Sequence, residues 1–181
     1  MPQRDPDVAY WERKVAADRD TDDALYLAQL YRERGLLEES CKLCWDILED
    51  DPEHPPAMAE LAETLFMMGD RLGALKCYED AKAFGVAFSL EMAFRRALCL
   101  YAAGRIEEAE KALLELLEED PFVDGPFDAL AGIYEETGRK RQVNALMRRR
   151  NKMRAVQERE GRTIEEFIRV LTGGHRKLGR R

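Results

Sequence analysis

Four glycines, Gly35, Gly69, Gly104 and Gly138, recur at separations of 34, 35 and 34 residues. A period of that size marks a stack of small supersecondary units, none of which can bury its own apolar face, so that a core forms only between neighbours. Such a stack presents a surface for binding rather than an enclosed active site.

The residues around each glycine repeat in phase. Seven before it stands a small residue (Ala28, Ala62, Ala97, Ala131), and four before it a large apolar one (Tyr31, Leu65, Leu100, Tyr134). Five after it the residue is again small or short (Ser40, Ala74, Ala109, Val143), and nine after it an apolar group returns (Cys44, Tyr78, Leu113, Met147). Small residues let two helices approach, and the large ones fill the space beside them. Glycine suits the turn, because the position after a helix end often takes a left-handed backbone that is costly for other residues. Seventeen residues after two of the glycines stand Pro52 and Pro121, which end or follow the second helix because proline donates no hydrogen bond.

These positions resemble the tetratricopeptide repeat family. In the first repeat Leu27, Ala28, Tyr31, Gly35, Ser40, Cys44, Ile47 and Pro52 fall on signature positions. The second puts Val86 where proline belongs, so Gly85 is expected to end that helix. The third replaces its first leucine with Arg96. The fourth keeps Leu130, Ala131, Tyr134 and Gly138, then puts Arg150 in an apolar slot with no proline after it, so its second helix should run on.

The resemblance implies an all-α fold, a right-handed α-solenoid of about four helix pairs with an N-terminal helix and C-terminal capping helices. The expected boundaries are a leading helix in 1–20, repeats in 21–54, 55–89, 90–123 and 124–155, the end of a long helix plus a capping helix in 156–172, and a basic flexible tail in 173–181. Thr163-Ile164-Glu165-Glu166 has capping-box spacing, which predicts that the capping helix starts there.

A hydrophobic content of 45% suits a soluble globular chain. The longest apolar run, Ala97 to Ala103, has seven residues, against about 20 for a membrane span. With no signal-peptide pattern at the start, a cytoplasmic protein is expected. The net charge of −7 divides unevenly. Residues 1–138 carry 14 Lys and Arg against 32 Asp and Glu, a net of −18, whereas residues 139–181 carry 15 against 4, a net of +11. Such asymmetry suggests an electrostatic partner.

In the family, the first helix of each repeat lines a concave groove. The resemblance assigns to it Tyr26, Gln29, Arg32 and Glu33 from the first repeat, and Ala59, Glu60, Glu63, Phe66 and Met67 from the second. The third supplies Glu91, Phe94, Arg95, Leu98 and Tyr101, the fourth Asp128, Ala129, Gly132, Glu135 and Glu136. Aromatics and a methionine beside carboxylates suit a peptide or helix with apolar anchors and positive charge. One subgroup of the family clamps chaperone carboxyl termini with Lys, Asn and Arg. Its positions read Leu25, Gln29, Glu60, Glu91 and Arg95 here, and two glutamates would repel a carboxylate at close range. A chaperone-tail clamp is therefore not expected.

The helix expected over 139–160 aligns Arg141, Arg148, Lys152 and Arg159 in one stripe, at spacings of 7, 4 and 7. That stripe is either a solvated face or an anion-binding ridge. It carries no aromatic residue to stack on bases, so nucleic acid is not the expected ligand. Cys41-Lys42-Leu43-Cys44 has the spacing of metal and redox pairs, but Cys44 holds a core position and further ligands are scarce; no metal and no cofactor are expected. The histidines, His54 and His175, sit in a turn and in the tail, and no phosphate-binding loop is present, so no enzyme is expected.

The function expected is a protein-interaction adaptor or scaffold holding a partner segment in an acidic, aromatic groove. Self-assembly of an acidic repeat body with the basic C-terminal region, giving a homo-oligomer, is the first alternative. Binding of an anionic surface through the stripe is the second.

Overall fold

The computed structural model describes residues 5–171, with side chains described up to residue 161. It is all-α, with nine helices among the described residues: α1 Pro6–Asp18, α2 Thr21–Glu33, α3 Leu37–Asp50, α4 Pro55–Met68, α5 Arg71–Ala83, α6 Leu90–Ala102, α7 Ile106–Glu119, α8 Asp124–Glu136 and α9 Lys140–Leu171. The chain divides into two compact units, Met1–Ala112 and Leu113–Arg181.

Local chemistry sets the helix starts. Asp5, Asp20, Asp70 and Ser89 each cap the next helix by accepting a backbone N–H with the side chain, which satisfies a donor the helix itself cannot. His54 does the same for α4 through Nδ1, which accepts from the Ala57 amide, and Pro55 then occupies the first turn, where its missing N–H is harmless. The helix ends follow the period. Gly35, Gly69, Gly104 and Gly138 all have φ between 71° and 90°, in the left-handed region, and Gly85 joins them at 88°. Gly85 thus ends α5, as expected where the second repeat lacks its proline.

In the first unit α2 packs on α3, α3 on α4, α4 on α5 and α5 on α6, while α2 also touches α4, and α4 touches α6. The phase-locked small positions make that possible: Ala28, Ala62, Ala97, Ser40, Ala74 and Ala109 are all fully buried. Cys44 and Leu61 close one core cluster with Ala28, and Met58, Ala59 and Ala81 form another. Helix α1 is fastened to α2 by Lys14–Asp23 (2.7 Å), Arg34–Asp5 (2.6 Å) and the Tyr31 hydroxyl donating to Glu12 (2.8 Å). Arg96, in a leucine slot, leaves its Nε buried with no hydrogen-bond partner among the described residues.

In the second unit α8 packs on α9, and Phe127, Leu130, Ile133, Tyr134 and Leu146 are buried there. Arg150, in the apolar slot of the fourth repeat, reaches Asp124 (2.8 Å) and Asp128 (2.6 Å) on α8. Helix α9 does run on, but further than expected: its backbone continues through Gly161 and Thr163 to Leu171. The capping-box spacing at Thr163 opens no separate helix. A helix start needs an extended residue before it, and one interior glycine costs only about 1 kcal/mol against continuing. The expected tail, 173–181, lies outside the described residues.

Candidate functional site

The inner helices α2, α4 and α6 of the first unit bring the groove candidates together around a cavity of about 490 Å³. Gln29 and Arg32 come from α2, Ala59, Glu60 and Glu63 from α4, and Glu91 and Arg95 from α6. Four more lining residues, Pro56, Val86, Ser89 and Met92, fall outside the positions the family resemblance assigned. Val86 and Ser89 belong to the link between α5 and α6, where the 35-residue interval holds its extra residue. The interruption in the repeat was thus the signal for them.

Charged side chains on these helices are already partnered. The Arg32 Nε donates to Glu60 at 2.5 Å and its second nitrogen to the other carboxylate oxygen at 3.2 Å, a two-pronged pairing of α2 with α4. Glu63 accepts from the Tyr78 hydroxyl of α5 and from Arg95 of α6, and Arg95 also donates to Glu91 one turn away. Glu60 and Glu63 are only 5% and 7% exposed. Burial pushes the Glu60 carboxyl above its usual range, and the Arg32 hydrogen bond and charge offset part of that rise. For Arg32 burial acts downwards, but the hydrogen bond and charge of Glu60 outweigh it. Burial, then the bond to Glu63, raise the Tyr78 hydroxyl far above its ordinary range, so it is a fixed donor.

The groove is therefore less acidic than its composition implies. The two guanidinium groups neutralise Glu60 and Glu63; of the lining carboxylates only Glu91 is exposed, and Glu33, one turn after Gln29 on α2, is exposed as well. Arg95, the one clamp-like cation, is held by Glu63 and Glu91.

The remaining candidates divide. Phe66 lies under the guanidinium of Arg71, 3.6 Å from its ring centre, and within 5.5 Å of Arg95. Phe94, Leu98 and Tyr101 are half-buried, and Met67 is exposed. Tyr26 is covered on one side by Trp11 of α1, with ring centres 4.5 Å apart. Asp128, Gly132 and Glu135 belong to the second unit: Asp128 pairs with Arg150, Glu135 is exposed, and the space beside Gly132 is open.

The α9 cations separate by face. Arg149, Arg150 and Arg154 turn toward α7 and α8, where they meet the Leu117 carbonyl, Glu118, Asp124 and Asp128. Arg141, Arg148, Lys152 and Arg159 are exposed, about half a turn round the helix from buried Leu146 and half-buried Arg150.

Cys44 lies in the core between Ala28 and Leu61, and burial raises its thiol far above the ordinary value. Burial likewise pushes Cys77 and Cys99 up to about 11. Thiols held protonated are poor nucleophiles and poor metal ligands. Among the described residues no helix is long and apolar enough to cross a membrane.

No family model and no curated protein matches the chain. Solved structures do. MamA MSR-1 is 20% identical with a TM-score of 0.72, over 83% of this chain and 86% of that one. MamA AMB-1 is 24% identical with a TM-score of 0.68, over 82% and 81%. The MamA RS-1 ArsTM double mutant is 12% identical with a TM-score of 0.73, over 83% and 84%. MamA is a tetratricopeptide-like, all-helical protein, and the likeness extends that fold to this chain.

Proposed function

We propose that this chain is a non-enzymatic interaction module that holds an extended or helical segment of a partner protein against α2, α4 and α6. One observation carries the proposal: a cavity lined by the inner helices of three successive repeats, whose buried charges are already neutralised, so that a ligand need not pair them. A pre-satisfied polar floor costs little to cover, whereas uncompensated buried charge would oppose binding. Ala59, Val86 and Met92 accept an apolar anchor, and Gln29 and Ser89 can exchange hydrogen bonds with a partner backbone. Glu33 and Glu91 then favour positive charge at the rim rather than at the floor. His54 is engaged as a helix cap and stands outside this cavity, which suits binding rather than acid–base chemistry.

A photo-crosslinking residue at position 29 should capture a defined partner from the native cell, whereas one at position 45, on α3, should not. Gln29→Arg and Glu91→Arg should each reduce recovery, the first by filling the cavity and the second by reversing the rim charge. Unchanged recovery in both, with helicity intact, would remove the groove assignment.

A further inference from the structure

A second cavity in the first unit is larger than the groove. It is a cleft of about 780 Å³ bounded by α1, α2 and α3. Val15, Ala24, Leu43 and Ile47 supply an apolar floor, and Asp46, Asp50 and Asp51 an acidic rim that a single cation, Arg19, only partly balances. Glu39 extends the rim along α3: it is exposed, seven residues before Asp46, and therefore on the same face. An apolar floor with acidic edges suits arginine and lysine side chains, whose methylene stems bury while their charged heads reach the carboxylates.

The second unit carries the matching surface. On the exposed side of α9, Ala145 and Ala155 lie between the cations, so that Arg141, Ala145, Arg148, Lys152, Ala155 and Arg159 follow one another at intervals of 4, 3, 4, 3 and 4. Intervals alternating between three and four give a straight seam along a helix, and alanines within it allow a second helix to approach closely. Among the described residues no hydrogen bond or ion pair engages Arg141, Arg148 or Lys152.

The two surfaces correspond position by position. On α3, Glu39, Leu43, Asp46 and Asp50 are spaced 4, 3 and 4; on α9, so are Arg141, Ala145, Arg148 and Lys152. Each acid meets a cation, and Leu43 meets Ala145. The seam reads alike from its other end, as Arg159, Ala155, Lys152 and Arg148, so either helix direction gives the same pairing. We infer that the α9 seam of one copy docks on the α3 face and cleft of a second copy. The contact joins two different surfaces, so each copy in a pair keeps one of each, and association can continue from copy to copy. It uses none of the residues of the α2–α4–α6 groove.

Light scattering on the whole chain across a concentration range tests this. At low salt the average mass should rise with concentration, and high salt should abolish the rise. Arg148→Glu with Lys152→Glu should weaken association by about tenfold or more, and so should Asp46→Arg with Asp50→Arg. Combining all four in one chain should restore it, because the charges are then exchanged rather than lost. If circular dichroism shows a reversed variant unfolded, the milder Arg148→Gln with Lys152→Gln and Asp46→Asn with Asp50→Asn should still weaken association. A monomer at low salt overturns the inference, as does association indifferent to either pair of changes, or a fourfold variant that stays monomeric. Retention of a monomeric wild type on phosphatidylserine vesicles, lost with Arg148→Glu and Lys152→Glu, overturns it in favour of a lipid surface.

Discussion

Helices α5 and α9 occupy the same place in their repeats, yet they solve the same packing problem with opposite chemistry. In α5 the repeat positions are Ala74, Tyr78 and Ala81, all fully buried. In α9 the corresponding residues are Val143, Met147 and Arg150, the first two half-buried. Arg150 sits where Ala81 packs against Met58 and Ala59, and it is tolerated because Asp124 and Asp128, one turn apart on α8, meet its guanidinium. At this slot the charge is accommodated because the facing helix supplies opposite charge. Helix α5 then stops at Gly85, whereas α9, free of any such break, runs for 32 residues.

The largest effect should come from exchanging the two solutions. Ala81→Arg places a guanidinium against Met58 and Ala59 with no acidic pair opposite, and should cost about 3–5 kcal/mol through overpacking and unpaired charge. Arg150→Leu restores the apolar slot on α9, and should change stability by less than about 1 kcal/mol, since an exposed pair is exchanged for partial burial. Urea denaturation of both variants makes the comparison. A marked gain from Arg150→Leu would show that α8 does not compensate Arg150.

A smaller contrast separates two glycines. Gly69 turns the chain between α4 and α5 at φ 90°, with open space where a Cβ would stand. Gly69→Ala should therefore cost about 1–2 kcal/mol from backbone strain alone. Gly161 lies inside exposed α9, also with open space, and Gly161→Ala should add about 0.5–1 kcal/mol of helix stability. Thermal denaturation reads both, and a gain at Gly69 would contradict its left-handed role.

These contrasts also mark how far the sequence was legible. The helix pairs, their turns and the buried small positions follow from the period, because backbone conformation and close packing act on every repeat alike. Placement of Cys44 in a core and the end of α5 at Gly85 followed for the same reason. The partners of Glu60 and Glu63 did not. Each lies on a groove position, but whether a carboxylate there stays open depends on which residue stands opposite on the next helix, 28 residues away for Arg32 and 32 for Arg95. The period does not constrain those choices. Nor did it reveal the α1–α3 cleft, whose floor is shared by three helices, only two of them in a complete repeat.

The smallest effects should appear in acid, and they should have opposite signs at two carboxylates. Burial raises the folded pKa of Glu60 above its ordinary value. Its ionised form opposes folding relative to its protonated form, so its contribution is greatest below its unfolded pKa and declines as pH rises through the folded one. Asp124 has a folded pKa lowered from 3.8, first by the Arg150 hydrogen bond and then by that of Arg154. Its contribution is present above the unfolded value and disappears as pH falls through the folded one. Relative to Glu60→Gln, which cannot titrate, the wild type should gain stability as pH falls from neutrality through the raised pKa of Glu60. Relative to Asp124→Asn it should lose its advantage as the pH drops below about 4. Melting temperatures of the three proteins across this range decide the matter. Parallel curves for wild type and Glu60→Gln would mean that Arg32 fully offsets the burial of Glu60, and the groove floor would then bind its own charge more tightly than its exposure implies.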